Sequence, residues 1–229
     1  MKTIGLLGGM SWESTVGYYQ VMNQAVKERL GGLHSARILL FSVDFQVLRD
    51  FMVDEDWDAV AAHLADAART LEQGGADMIV IGTNTMHKVA PQIADAVSVP
   101  VVHIADATAQ VARTEGYAKV GLLGTIFTME DDFYTQRLEE QGLEVIVPGA
   151  EDRKLVDRVI FDELCKGELC SCSRTEYLRI LDAMAAQGAQ AVILGCTEIG
   201  LLVRPGDTDV PTLDTCRIHA VTAVEEALK

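Results

Sequence analysis

The chain repeats itself, and the repeat restricts the possible fold more than any other feature. Ile4-Gly-Leu-Leu-Gly8 is matched 116 residues later by Val120-Gly-Leu-Leu-Gly124. Gly75-Ala-Asp-Met-Ile-Val-Ile-Gly82 is matched 113 residues later by Gly188-Ala-Gln-Ala-Val-Ile-Leu-Gly195. Val99-Pro100 and Val210-Pro211, 111 residues apart, each lead into a strand-like pair. Three anchors in one order at nearly constant offset imply two copies of a single unit.

What the unit is follows from periodicity. Short apolar runs at 3–8, 36–43, 78–81, 100–103, 120–123, 144–147, 191–194 and 211–213 read as buried strands. Helical patterns lie between them, such as 56–74 and 174–188, each ended by a Gly that can adopt the left-handed cap. Strands alternating with helices imply a parallel sheet covered on both faces. The expected architecture is α/β. Two pseudosymmetric lobes, residues 1–104 plus 214–229 and residues 105–213, each form a mostly parallel sheet flanked by helices. The last helical stretch, 215–228, follows its strand as 105–113 follows the equivalent one. No Pro/Gly/Ser-rich linker separates the copies, so the lobes are expected to be intimately joined.

Charge and cysteine content exclude several functions. With 34 acidic and 19 basic side chains the net charge is −15, which repels phosphate backbones and anionic lipid, so neither nucleic acid nor membrane is an expected partner. No apolar run approaches the ~20 residues needed to span a bilayer. The apolar start imitates a signal peptide only as far as Met10, where it meets Trp12-Glu13. Five cysteines, three of them crowded at Cys165, Cys170 and Cys172, predict free thiols in a reducing compartment rather than a disulfide framework, hence a cytoplasmic protein.

In open parallel sheets ligands bind beyond the carboxyl ends of the strands. Two lobes facing one another would therefore place an active site in the inter-lobe cleft. The repeat pairs the candidate residues. Gly82-Thr83-Asn84-Thr85 corresponds to Gly195-Cys196-Thr197-Glu198, and Gly8-Gly9-Met10-Ser11 to Gly124-Thr125 with Thr128. Glycines let backbone N–H groups approach a ligand, and the hydroxyls and amides donate hydrogen bonds, a lining suited to a small carboxylate. Cys196, after a strand and before a helix start, is expected to have a lowered pKa and to act as base or nucleophile. A metal site is not indicated, since Cys170-Ser-Cys172 is not a Cys-x-x-Cys clamp and no His follows at ligand spacing. A dinucleotide site is not indicated either, because Gly5-Leu-Leu-Gly8-Gly9 lacks the Gly-x-Gly-x-x-Gly spacing. His87 and Lys88 are expected to face solvent or cap a neighbour. His34, His63, His103 and His219 are scattered without ligand spacing, Cys216 is expected to pack, and 54–58 reads as an acidic helix start.

The segments Gly8-Gly-Met-Ser-Trp-Glu-Ser-Thr15, Asn84-Thr-Met-His87, Gly124-Thr125 with Thr128, and Val192-Ile-Leu-Gly-Cys-Thr-Glu-Ile-Gly-Leu-Leu202 resemble the aspartate/glutamate racemase family, the last most specifically. The resemblance spans essentially the whole chain. It implies cofactor-independent stereoinversion of a small acidic amino acid, with no pyridoxal phosphate or metal, by a cytoplasmic homodimer. In that family one thiolate removes the α-proton and a second thiol returns one to the opposite face. This sequence has Cys196 on one side, but Thr83 where the first-lobe signature has a cysteine. A threonine hydroxyl is a much weaker acid than a thiol, so turnover unequal between the enantiomers is expected, although the equilibrium must stay near unity. The resemblance further implies that Met10, Ser11, Asn84, Thr85, Thr125, Thr128, Thr197 and Glu198 line the substrate, and that Arg49 and Lys166 hold its carboxylates. In an acidic protein two such cations would favour a dicarboxylate, aspartate ahead of glutamate. The alternatives are a single-cysteine decarboxylase or cis-trans isomerase of a dicarboxylate, and a non-catalytic acidic-amino-acid sensor.

Overall fold

The computed structural model describes residues 1–229. It divides into two compact units, Met1–His103 with His219–Lys229, and Ile104–Ile218. In the first unit β1 (Ile4–Gly8), β2 (Ile38–Ser42), β3 (Met78–Ile81) and β4 (Val101–Val102) form one sheet in the order β2-β1-β3-β4. In the second, β5 (Lys119–Gly124), β6 (Glu144–Ile146), β7 (Ala191–Gly195) and β8 (Thr212–Asp214) take the equivalent order β6-β5-β7-β8. Every pairing is parallel. The first unit carries α1 (Trp12–Leu30), α2 (Phe45–Val53), α3 (Trp57–Gln73) and α4 (Ala90–Asp95). The second carries α5 (Ile104–Thr114), α6 (Ile126–Glu130), α7 (Asp132–Glu140), α8 (Ala150–Asp162), α9 (Ser171–Ala186) and the single turn α10 (Ile199–Leu202). Helix α11 (Thr215–Leu228) begins in the second unit and ends in the first. No helix is long and apolar enough to cross a membrane.

All eight expected strands form, but they are not all buried. The central strands β1, β3 and β7 are buried throughout, as helices covering both faces require. The edge strands β2, β4, β6 and β8 are partly exposed, because an edge strand has a neighbour on one side only. Alternation along β7 divides the second unit's core. Ala191 and Ile193 pack with Ile104, Ala109 and Tyr134 on one face. Val192 and Leu194 pack with Val159, Tyr177 and Ile180 on the other, and Cys196 continues that row.

The repeated Gly-Ala segments do the same work twice. After α3, Gly75 N–H donates to Glu72 O and Ala76 N–H to Leu71 O; after α9, Gly188 N–H donates to Ala185 O and Ala189 N–H to Met184 O. These are paired Schellman closures, which place a residue at positive φ. That residue is Gly75 (φ +95°) in the first unit and Gly188 (φ +94°) in the second. Gly74, the expected cap, is right-handed, so the cap lies one residue later. The next side chain then clamps the start of the central strand pair. Asp77 Oδ2 accepts from Thr3 N–H at 2.6 Å, and Gln190 Oε1 accepts from Ala118 and Lys119 N–H at 2.7 and 2.9 Å. The acidic run over 54–58 does start a helix, with Asp56 capping α3 through Ala59 N–H at 2.9 Å.

Candidate functional site

The second unit's strand ends are built around two glycines facing one another in register, Gly124 on β5 and Gly195 on β7. A Cβ on Gly195 would lie 2.7 Å from Leu123 O, and one on Gly124 2.8 Å from Gly195 O. Only hydrogen fits at either position, so the two backbones run close together to the point where Cys196 leaves the sheet. Cys196 is 8 % exposed and Glu198 2 %. The Cys196 thiol donates to Glu198 Oε2 at 3.0 Å, and Thr197 Oγ1 donates to the same oxygen at 2.9 Å. Thr125 caps α6 by accepting from Thr128 N–H, and its hydroxyl lies 3.2 Å from that of Thr128. Both threonines are buried, and Asp157 Oδ1 holds the intervening Ile126 N–H at 2.8 Å.

The expected low pKa of Cys196 is corrected by this arrangement. Burial first, and then the negative Glu198 and neighbouring Cys165, push the thiol well above its ordinary value. The helix that was to lower it, α10, has only four residues and so lacks an appreciable macrodipole. At rest the site therefore holds a protonated thiol hydrogen-bonded to a carboxylate. It can donate a proton as it stands, and it can become a thiolate by passing that proton to Glu198.

In the first unit Gly8 and Gly9 close the end of β1. A Cβ on Gly9 (φ +91°) would meet Val43 O at 2.3 Å, so neither the space nor the backbone conformation accepts a side chain. Gly9 N–H donates to Thr15 Oγ1 at 2.8 Å, and Thr15 Oγ1 in turn donates to Ser11 O at 2.8 Å. Met10 and Ser11 are buried at the start of α1. Beyond β3, Thr83, Asn84 and Thr85 are likewise buried and lead into a 3-10 turn, Thr85–Val89.

Of the two settings expected for His87, solvent or a cap on a neighbour, it takes the second: it is 2 % exposed, with Nδ1 2.8 Å from Thr83 O. Its ring stands 4.4 Å from that of His103 and 5.7 Å from that of His219. Three histidines without common spacing thus form one cluster. Carbonyl oxygens only accept, and this fixes the tautomers. His87 carries its proton on Nδ1. His219 carries its own on Nε2, 2.8 Å from Val102 O, so its Nδ1 accepts from Tyr18 Oη at 2.9 Å. Burial pushes His87 well below its ordinary value and His219 down to about 4. No three His, Cys, Asp or Glu side chains converge as a metal site.

The two expected carboxylate-binding cations are in different settings. Arg49 lies half-buried on α2. Lys166 is exposed at the end of a 3-10 turn, its Nζ 4.0 Å from Asp162 Oδ1. The expectation of five free thiols fails at one pair, because Cys170 and Cys172 form a disulfide. The extended Cys170 immediately before α9 brings the two Cα atoms to 5.4 Å, within disulfide range. Cys165, Cys196 and Cys216 form no disulfide, Cys216 is buried as expected, and Cys165 packs against the core that holds Cys196. The histidine cluster was missed. Its one local signal is the four-residue spacing from Thr83 to His87, while His103 and His219 are brought in by tertiary structure.

A family model described as Asp/Glu/hydantoin racemase matches residues 7–223. A Yersinia pestis protein provisionally named an Asp/Glu racemase superposes over the full length of both chains with TM-score 0.91 and 51% identity. An aspartate racemase homologue from Pyrococcus horikoshii OT3 does so with TM-score 0.85 and 37% identity, again over 100% of each chain. The broad specificity amino-acid racemase RacX of Bacillus subtilis (strain 168) is 22% identical over 235 residues, covering 98% of each chain.

Proposed function

The chain belongs to the Asp/Glu/hydantoin racemase family, and from that premise we propose that it racemises an acidic amino acid, aspartate first and glutamate second, without pyridoxal phosphate or a metal. The observation that carries the reading is the Cys196 thiol at a buried strand end, its proton already directed at Glu198 Oε2 from 3.0 Å. As substrate enters, that proton passes to Glu198 and the thiolate removes the Cα proton. The resulting carbanion is held by donors already oriented in a dry site, among them Asn84, Thr85, Thr125, Thr128 and Thr197. Thr83, at the corresponding strand end of the other unit, supplies the proton to the opposite face. Met10 and Ser11 complete the lining, and Arg49 and Lys166 take the two carboxylates. Aspartate stands first because the Pyrococcus horikoshii relative is named an aspartate racemase homologue.

Thiol and hydroxyl are unequal bases, so the enzyme is kinetically asymmetric: Cys196 deprotonates one enantiomer readily and Thr83 the other slowly. It acts in the cytoplasm and as a homodimer. Support for the dimer comes from Val16 and Tyr19, which leave an apolar face of α1 exposed. That a single thiol stands among the strand-end residues also favours a second reading, a decarboxylase or cis-trans isomerase of a dicarboxylate using Cys196 alone.

Proton NMR of L- and D-aspartate and L- and D-glutamate in D₂O tests the first reading. Loss of the Cα–H signal is expected for aspartate, faster from one enantiomer. Absence of exchange with all four sinks the racemase reading, and turnover of malonates or maleate then decides for the second. Sedimentation of the wild type and of Tyr19→Glu tests the dimer, which the added charge is expected to dissociate.

A further inference from the structure

We infer that His87 is the positioning residue for Thr83: its Nδ1–H, donated to the Thr83 carbonyl oxygen, holds the end of β3 in the conformation that presents the Thr83 side chain. This rests on the proton-transfer role proposed for Thr83. A strand-end carbonyl in a buried setting requires a donor, and the 3-10 turn that follows is a weak anchor by itself. Around it the backbone contributes Thr83 N–H to Ile81 O at 2.8 Å and His87 N–H to Asn84 O at 3.0 Å. The imidazole closes the loop from above at 2.8 Å.

The ring that does this is itself fixed. His219 is locked between Tyr18 Oη and Val102 O, 2.9 and 2.8 Å away, and its ring bounds His87 on one side. His103 bounds it on another, with the ring planes inclined at 63°. Such packing restricts rotation about χ2, so the Nδ1–H stays aimed at its carbonyl.

The repeat isolates the device to one unit. The 113-residue offset that pairs Thr83 with Cys196 pairs His87 with Gly200. That position carries no side chain and faces the Asp214 carboxylate instead, where an added Cβ would lie 2.7 Å from Oδ2. The β7 end is held differently, through Thr215 Oγ1 donating to Leu194 O at 2.7 Å and through Glu198. A group that serves only the Thr83 side should affect only the enantiomer deprotonated from that side.

The experiment compares His87→Asn, His87→Gln and His87→Leu. Asn places an amide N–H where His has Nδ1, whereas Gln places it near the position of Nε2. Cα–H exchange is followed for both aspartate enantiomers, with kcat and KM separated; the enantiomer silenced by Thr83→Ala identifies the Thr83 side. Gln and Leu are expected to lower kcat on that side about tenfold, as one lost hydrogen bond allows, with KM and the other enantiomer changed less than about twofold. Asn is expected to restore kcat to within about twofold. Equal loss for both enantiomers, or Asn no better than Gln, overturns the inference. If Leu does not fold, the Asn–Gln pair still decides.

If the wild type exchanges neither enantiomer, the racemase reading fails separately, and long-range ¹H–¹⁵N spectra with the ¹³C shift of the Thr83 carbonyl decide the positioning. An Nδ1–H tautomer, and a carbonyl shift that moves in the Gln variant but not in Asn, support it. An Nε2–H tautomer or an unmoved shift in Gln overturns it.

Discussion

At the end of β3 the chain runs Gly82-Thr83-Asn84-Thr85, and at the end of β7 it runs Gly195-Cys196-Thr197-Glu198. Both segments leave a buried central strand of a four-stranded parallel sheet with the same strand order. Both pass through a glycine pressed against the neighbouring strand's backbone, 3.1 Å from Leu7 O for a Cβ on Gly82 and 2.7 Å from Leu123 O for one on Gly195. Beyond the glycine they diverge. The β7 end has a thiol backed by a carboxylate, which is a proton donor joined to a proton acceptor. The β3 end has a hydroxyl whose backbone is backed by neutral, buried imidazoles. Equivalent strand ends thus carry a thiol and a hydroxyl, with the difference arising in the residues behind the strand ends as well as at them.

The sharpest way to break this comparison is to remove the stronger group. Under the proposed mechanism, Cys196→Ala is expected to reduce Cα–H exchange of the enantiomer deprotonated from its side by about a thousandfold or more, and with it the inversion of both, because every inversion passes through that thiol once. Retained exchange of that enantiomer in the NMR assay would move the site elsewhere. Glu198→Gln is expected to cost about a hundredfold in kcat, the lower range for loss of an acid–base partner. It should also let the Cys196 thiol fall towards its ordinary pKa, since the carboxylate helps to hold it up. The pH dependence of iodoacetamide alkylation measures that fall, and an unchanged profile would separate Glu198 from the thiol.

The two ends also carry opposite pH liabilities. Unfolded His219 protonates near its ordinary 6.5, while the folded residue waits until about 4. Between those values the unfolded chain binds more protons, so stability is complete above about 6.5 and falls as pH drops towards 4, by about 3 kcal/mol for this residue. Cys196 is raised in the folded state, so the unfolded chain loses its proton first and stability falls as pH rises above the ordinary thiol value. Urea unfolding from pH 4 to 10 is expected to show both slopes, with His219→Gln flattening the acidic one only.

Sharpening the comparison takes the smallest change. Thr83→Cys, which makes the two ends alike in chemistry, is expected to raise exchange of the slow enantiomer about tenfold and bring the ratio between enantiomers closer to one. If wild type and variant exchange both enantiomers equally fast, the asymmetry is wrong.

Much of this molecule is legible along the chain. The alternation of apolar runs and amphipathic stretches is a local pattern, so all eight strands and the α/β class could be read from it, as could the Gly-Ala closures after α3 and α9, within one residue. The strand-end segments are local too, which is why Cys196 and Thr83 stand out. Exposure of β2, β4, β6 and β8 is not local: whether a strand lies at an edge depends on sheet order, which composition does not encode. Cys170 and Cys172 join because an extended residue meets a helix start there, whereas the number and crowding of the cysteines argued for free thiols.

The sequence by itself determined two copies of one parallel α/β unit and the residues that end its central strands, because backbone preference and apolar period act over a few residues. Tertiary structure alone decided the state of those residues. Burial against Val159 and Tyr177, with Glu198 beside it, turned an expected thiolate into a held thiol. Three histidines at 87, 103 and 219 became one cluster behind Thr83, with His87 and His219 held neutral by burial. Desolvation and hydrogen-bond partnership depend on what the fold brings close, and a residue's neighbours in space are set by the whole chain.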